Sequence, residues 1–361
     1  MFYGNLFSKY RPRVFSDIVA QSNIINIFRN SISNDKFHHS YIFYGLRGSG
    51  KTTLARIISK SLNCEMRKKN TDPCLRCVHC IMIEENRHPD IIEIDAASNS
   101  SVSNIRNIIE NIKFKPIVAY YKIYIIDEVH MLSYSAFNSL LKVLEEPPLY
   151  IKFILITTEI RKVPLTIISR CYKICMSRIY VRDLAFFLQR ISIKEKVFIN
   201  LRILFLIAKF SQGSIRDGVS ILGQTFSLCK KKKTIDIFLM KKFFSGVVIN
   251  YTYKIFFFVS KSDIYNTINL TRNLYLHGYE GYIVFQDLID FCYKLIIFKI
   301  DNNRIVLSNY EFFKCRQLSY NFSLIGLIRI WKILTKSLIE IKNFDSSLVT
   351  LEMLVIRLCN I

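Results

Sequence analysis

The octapeptide Gly45-Leu46-Arg47-Gly48-Ser49-Gly50-Lys51-Thr52 constrains this chain more than any other segment. It fits G-x-x-x-x-G-K-[ST], follows the apolar, strand-like run Ser40-Tyr41-Ile42-Phe43-Tyr44, and opens a helical pattern over 51–63. Strand, glycine-rich turn and helix in that order make a phosphate-binding loop. The glycines let backbone N–H groups wrap phosphate oxygens, and the helix N-terminus adds partial positive charge. Lys51 is then placed to neutralise β/γ-phosphate charge, and the Thr52 hydroxyl to sit on Mg²⁺. Four more strand-like runs follow, at 91–94, 122–126, 153–156 and 172–174, with helical patterns at 103–112, 134–145 and 164–168 between them. Such alternation predicts a parallel sheet flanked by helices.

The run Lys122 to Ile126 ends in Asp127-Glu128. Two acids at the end of a buried strand, downstream of a phosphate loop, suit nucleotide hydrolysis. Asp127 can hold Mg²⁺, and Glu128 can polarise the attacking water. Between these motifs lie Cys64, Cys74, Cys77 and Cys80. Four thiols at this spacing predict a closed, structural tetrahedral zinc site, with His79 as a possible substitute ligand. Thr157-Thr158 ends the next strand, where a hydroxyl can reach a γ-phosphate or the attacking water. Arg170, in Ser169-Arg170-Cys171, reads on spacing alone as a surface arginine, the alternative being one that reaches the ATP of a neighbouring subunit. Gly213-Ser214-Ile215-Arg216-Asp217 starts a helix that Ser214 can cap, with Arg216 in its first turn.

Composition narrows the class. There are 51 Lys+Arg against 28 Asp+Glu, a net charge of +23, which favours a polyanionic partner such as nucleic acid. With 51% hydrophobic and 22% charged residues the chain reads as globular. No apolar run approaches the roughly 18–20 residues of a membrane helix, and no secretory pattern opens the chain. A cytoplasmic protein is expected, its ten cysteines thiols or metal ligands. Three domains are expected: 1–178 as the α/β nucleotide-binding domain with the zinc insertion at about 64–80, 179–240 as a small helical domain, and 241–361 as an all-helical domain. Lys230 to Lys233 reads as an exposed boundary.

Together these residues resemble the AAA+ clamp-loader ATPases, and within them the bacterial DNA polymerase III gamma/tau family. The resemblance covers about residues 6–225. It includes Lys9-Tyr10-Arg11-Pro12, Phe15, His38-His39, the phosphate loop, the four cysteines, Glu93 to Ser98, Asp127 to Ser133, Leu144-Glu145-Glu146-Pro147-Pro148, Ser169-Arg170-Cys171 and Gly213 to Asp217. It implies an AAA+ P-loop domain, a helical lid and a helical collar for oligomerisation. It also implies an ATP- and Mg²⁺-binding set of Arg11, Pro12, Gly45, Leu46, Arg47, Gly48, Ser49, Gly50, Lys51, Thr52 and Thr53, with Arg11 and Pro12 bordering the adenine. Thr158 is similar to the sensor 1 position, Arg170 to the arginine finger acting in trans, and Arg216 to sensor 2 of the lid. The implied partners are the other loader subunits (delta, delta prime and further gamma copies) in a hetero-pentamer, the sliding clamp and primer-template DNA, at the nucleoid during replication. The implied activity is ATP-driven loading of the clamp.

The chain departs from the family at Ala20-Gln21, where Gly-Gln is expected. It also departs at Asn99, Ser100 and Ser101, where basic residues near DNA are expected and only Arg106 follows. Ending at Ile361, it resembles the short gamma form without the tau tail. Three other readings compete. Asp127 to His130 also resembles a DExH helicase box, but such a translocase needs a second nucleotide-binding lobe, and 241–361 has no arginine-rich motif for one. A non-hydrolysing loader scaffold would carry degraded motifs, whereas Lys51, Thr52, Asp127 and Glu128 are all present. A polymerase active site would need a separate carboxylate cluster, so the chain is expected to serve a DNA-directed DNA polymerase holoenzyme and not to polymerise.

Overall fold

In the computed structural model the described residues are 6–67, 71–98, 110–228, 248–276, 281–301, 309–343 and 347–360. They fall into two compact units, 1–237 and 238–361. The expected helix over 103–112 lies mostly outside the described residues, as do Arg106 and Lys230 to Lys233.

Five strands form one sheet in the first unit: β1 Ser40–Gly45, β2 Ile91–Asp95, β3 Lys122–Asp127, β4 Ile151–Thr157 and β5 Tyr172–Met176. Their order is β2-β3-β4-β1-β5 and every pair is parallel. Because all strands point one way, their C-terminal ends line a single edge, where ligands bind in sheets of this kind. The central strands are near-continuous apolar runs because both faces are covered. Alternate residues supply two separate cores. Tyr41, Phe43, Ile123, Ile125, Ile154 and Ile156 meet one set of helices, while Ile42, Tyr124, Ile126, Phe153 and Leu155 meet the other.

The helices of this unit are α1 Leu6–Lys9, α2 Ser22–Ser33, α3 Lys51–Asn63, α4 Val78–Glu84, α5 Tyr134–Glu145, α6 Leu165–Ile168, α7 Val181–Lys194, α8 Leu201–Phe210 and α9 Ile215–Leu228. α2 and α3 cover the first face through Phe28, Leu54, Ile57 and Ile58; α5 covers the second through Phe137, Leu140 and Leu144. Local chemistry sets the helix starts. The Ser133 hydroxyl caps α5 by accepting from Ala136 N, the Asn200 side chain caps α8 by accepting from Arg202 N, and Ser214 Oγ accepts from Asp217 N at the head of α9. Each such cap stabilises its helix by about 1 kcal/mol.

The second unit is helical throughout its described residues: α10 Val248–Val259, α11 Ile264–Leu276, α12 Gly281–Ile300, α13 Asn309–Ser319, α14 Leu324–Asn343 and α15 Ser347–Cys359. Its core is built on Phe256, Phe285, Leu288, Leu295, Leu327, Leu334 and Leu354.

Candidate nucleotide site and four-cysteine centre

The phosphate loop leaves β1 and enters α3 through glycines in the left-handed region, with φ +75° at Gly48 and +98° at Gly50. Gly50 is the N-cap of α3, so the first N–H groups of that helix face the loop's mouth. Lys51 is buried and its ammonium donates to Gly45 O (3.0 Å) and Leu46 O (2.8 Å), which holds it across the mouth. Burial pulls its pKa down, against the opposing attraction of Glu128 and Asp127. The Ser49 hydroxyl is buried within the loop with no protein partner. A buried hydroxyl without a partner usually signals a missing one, and a phosphate oxygen fits.

The ends of β1, β3 and β4 bring the acids to this loop. Thr52 Oγ1 donates to Asp127 Oδ2 at 2.6 Å. Burial pushes the Asp127 carboxyl up, while the Thr52 hydroxyl and the Glu128 N–H pull it back. A hydroxyl and a carboxylate in contact form the hard oxygen pair that Mg²⁺ takes, so the residues present fit that ion. After Asp127 the backbone turns through a left-handed residue, Glu128 (φ +47°, ψ +44°). That turn sends the Glu128 carboxylate to Thr158, whose N–H and hydroxyl both donate to Oε2.

The remaining candidates divide. Arg11 Nε donates to Thr53 Oγ1 at 3.1 Å, so the N-terminal segment lies against the first turn of α3. At the head of α9, Ile215 N donates to Gly48 O at 3.0 Å, and a Cβ at Gly48 would meet Ser214 Oγ at 2.1 Å and Arg216 Cβ at 3.3 Å. Arg216 therefore stands beside the phosphate loop, its guanidinium over the Phe7 ring. Arg170 does not join this group: its guanidinium is held by Glu145 and by Thr166 O. Sequence reasoning assigned no role to His130, although the Asp-Glu-Val-His motif carries it. Its Nδ1 lies 3.0 Å from Thr157 Oγ1 and 3.4 Å from Glu128 Oε2. Two further contacts left no local signal: Arg56 grips Glu93 with two nitrogens, and Gln21 donates to Ser177 O.

The four cysteines form one cluster. The sulfurs of Cys64, Cys74, Cys77 and Cys80 all lie within 4.8 Å of one another. Tetrahedral zinc, at about 2.3 Å from each sulfur, requires sulfurs about 3.8 Å apart, so the donor set fits. The N–H groups of Arg76 and Cys77 point at Cys74 Sγ. Burial pushes the Cys74 thiol up, but these donors and the neighbouring thiols outweigh it and hold it at about 7, nearer the thiolate a metal needs. His79 turns away from the cage, its Nδ1 3.0 Å from His88 Nε2.

Residues 20–179 match a family model described as DNA polymerase III, delta subunit, and residues 251–361 match DNA polymerase III subunits gamma and tau domain III. The DNA polymerase III subunit tau of Bacillus subtilis (strain 168) is 36% identical over 362 residues, covering 99% of this chain and 64% of the relative. The subunit gamma of Buchnera aphidicola subsp. Baizongia pistaciae is 41% identical over 230 residues, 64% of this chain and 62% of the relative. The subunit tau of Escherichia coli (strain K12) is 42% identical over 227 residues, 63% of this chain and 35% of the relative. The chain thus spans about one third to two thirds of the length of these relatives. A solved structure titled as the Thermotoga maritima RuvB Holliday junction branch migration motor shares the fold, with a TM-score of 0.50 at 18% identity over 69% of this chain and 79% of that one. With a relative 36% identical over nearly the whole chain and family models matching within both units, the chain belongs to the DNA polymerase III gamma/tau family.

Proposed function

We propose that this chain is the ATP-hydrolysing motor subunit of a DNA polymerase III clamp loader, which opens a sliding clamp and places it on primer-template DNA. One observation carries the reading: Lys51, Thr52, Asp127, Glu128 and Thr158 converge at one sheet edge, with the head of α9 packed on Gly48. The curated relatives and their names support the loader role, and no described helix is long and apolar enough to cross a membrane. The reading also takes 1–178 as the ATPase domain, 179–240 as the lid and 241–361 as the collar, acting in the cytoplasm at the replicating nucleoid.

Catalysis in this reading is positioning and electrostatics. The phosphate-loop N–H groups and Lys51 neutralise the phosphates, with Arg11 and Pro12 at the adenine side and Thr53 completing the nucleotide-binding set. Thr52 and Asp127 hold Mg²⁺, which spreads the developing charge when bound. Glu128 orients the attacking water, and Thr158 keeps its carboxylate at the right angle. Arg216 reaches the γ-phosphate from the lid, and Arg170 serves the neighbouring subunit's nucleotide, so hydrolysis depends on assembly. Cys64, Cys74, Cys77 and Cys80 hold a structural zinc.

The test is ATP hydrolysis by this chain mixed with the other loader subunits, with and without clamp and primed DNA, against Lys51→Ala. Stimulation by clamp and primer together, lost in the variant, supports the motor. Stimulation by DNA alone, indifferent to the clamp, points to a translocase.

A further inference from the structure

Both arms of the four-cysteine cage lean on one loop. Residues 113–121 lead into β3, so they lie at the N-terminal edge of the sheet, opposite the phosphate loop. The first arm is the end of α3. Asn63, next to Cys64, brackets Tyr121: its Nδ2 donates to Tyr121 O at 3.0 Å and its Oδ1 accepts from Tyr121 N at 2.9 Å. Arg67, three residues past Cys64, stacks its guanidinium on Tyr120 and Tyr121, 5.0 and 5.4 Å from their ring centroids.

The second arm starts at α4. His79, between Cys77 and Cys80, meets His88. His88 Nδ1 accepts from Asp90 N, which leaves His88 Nε2 to donate to His79. Asp90 is fully buried, and its carboxylate accepts from three successive N–H groups, those of Ile117, Val118 and Ala119, at 2.8–2.9 Å. The loop so held turns Phe114, Ile117, Val118 and Tyr120 outward, beside exposed Lys113 and Lys115.

We propose that metal occupancy of the four thiols sets the pose of the 113–121 loop, and so controls which surface the domain presents opposite its nucleotide site. Cys64 follows α3, while Cys77 caps α4 and Cys80 lies inside it. Four bonds to one ion fix the spacing of the two helix ends, and these ends carry Asn63, Arg67 and His79. The Lys60–Glu84 ion pair (2.6 Å) already ties α3 to α4 along their length, so the ion acts on the cage end of this contact, where Asn63, Arg67 and His79 stand. The nucleotide site draws on the other edge of the sheet and does not share these contacts.

The experiment is hydrogen exchange on the full chain, zinc-loaded and after chelation under reducing conditions, with metal content and ATP binding measured in parallel. Chelation is expected to lower protection of the Ile117, Val118, Ala119 and Tyr121 amides by roughly tenfold or more, while the α3 amides near Lys51 and ATP binding hold. The paired variant Asn63→Ala/Arg67→Ala should loosen Tyr121 with zinc still bound, which separates loss of the brace from loss of the fold. Unchanged loop protection after chelation overturns the proposal. So does a uniform loss that includes α3, because the metal is then a global support and not a local one.

Discussion

Thr158 donates twice to a single oxygen of Glu128: its N–H reaches Oε2 at 3.3 Å and its hydroxyl reaches the same atom at 3.0 Å. The two residues directly follow the paired strands β4 and β3, so sheet register decides their meeting. A carboxylate held on one oxygen keeps the other directed, which is what a water-orienting base requires. A hydrogen bond to a charged group contributes about 1.5–3 kcal/mol. Thr158→Val is therefore expected to slow ATP turnover by roughly tenfold to a hundredfold with ATP affinity little changed. Steady-state hydrolysis and equilibrium nucleotide binding on the same preparation would measure both. Glu128→Gln should go further, binding ATP while losing turnover by about a hundredfold or more.

The contact between Gly48 and Ser214 ties α9 to the phosphate loop. Gly48 has φ +75°, and an added Cβ would meet Ser214 Oγ at 2.1 Å. Gly48→Ala combines backbone strain of about 1–3 kcal/mol with displacement of the head of α9. It should lower the melting temperature and weaken ATP binding together. A variant with wild-type ATP affinity would show that the nucleotide site does not need this contact.

Arg170 is parked on Glu145 and Thr166 in its own chain. If it acts on a neighbour's nucleotide, the isolated chain has no use for it there. Arg170→Ala should leave ATP binding by the isolated chain intact and slow hydrolysis by the assembled loader by about a hundredfold or more. Equal rates in the two assemblies would remove the role in trans.

Much of this geometry was legible in the sequence because it is local. The five strands stand where their apolar runs predict, and Gly45 to Thr52 was readable because loop, strand and helix are contiguous. The contacts that complete the site are not local. Gly48 meets Ser214, Glu128 meets Thr158 and Asp90 meets Ile117 only because the fold joins distant segments, and no periodicity records such pairings. Arg170 carries the same lesson: spacing alone reads it as a surface arginine, only the resemblance singles it out, and its partner in this chain, Glu145, follows from the packing of α5 and α6. In the second unit α12 is apolar on nearly every turn, so its sequence predicts a helix without saying which face is buried.

Asp90 gives the brace its pH dependence. Burial raises its carboxyl, but the three N–H donors outweigh burial and hold it below the ordinary carboxylate range. A group depressed in the folded state stabilises fully above its unfolded value, near 3.8, and loses that contribution as pH falls through the folded one. Acid below about pH 4 should therefore expose the Ile117 to Ala119 amides, and Asp90→Asn should show this exposure at neutral pH and lose the acid step. Amide exchange measured from pH 7 down to pH 3 would test the sign.

The four thiols make the last prediction. Free thiols would be indifferent to loss of one member, whereas a closed zinc site is not, because three sulfurs leave a position open to water. Purified chain kept reduced should carry one zinc, and Cys77→Ser, which removes the α4 N-cap ligand, should weaken its retention against a chelator by a factor of ten or more. Cys171→Ser is the matched control: that thiol is buried outside the cage and should leave zinc content unchanged. Metal analysis before and after dialysis against a chelator gives the answer. Zinc well below one per chain in the reduced wild type would assign the four cysteines to packing alone, and the brace on residues 113–121 would then need another source of stiffness.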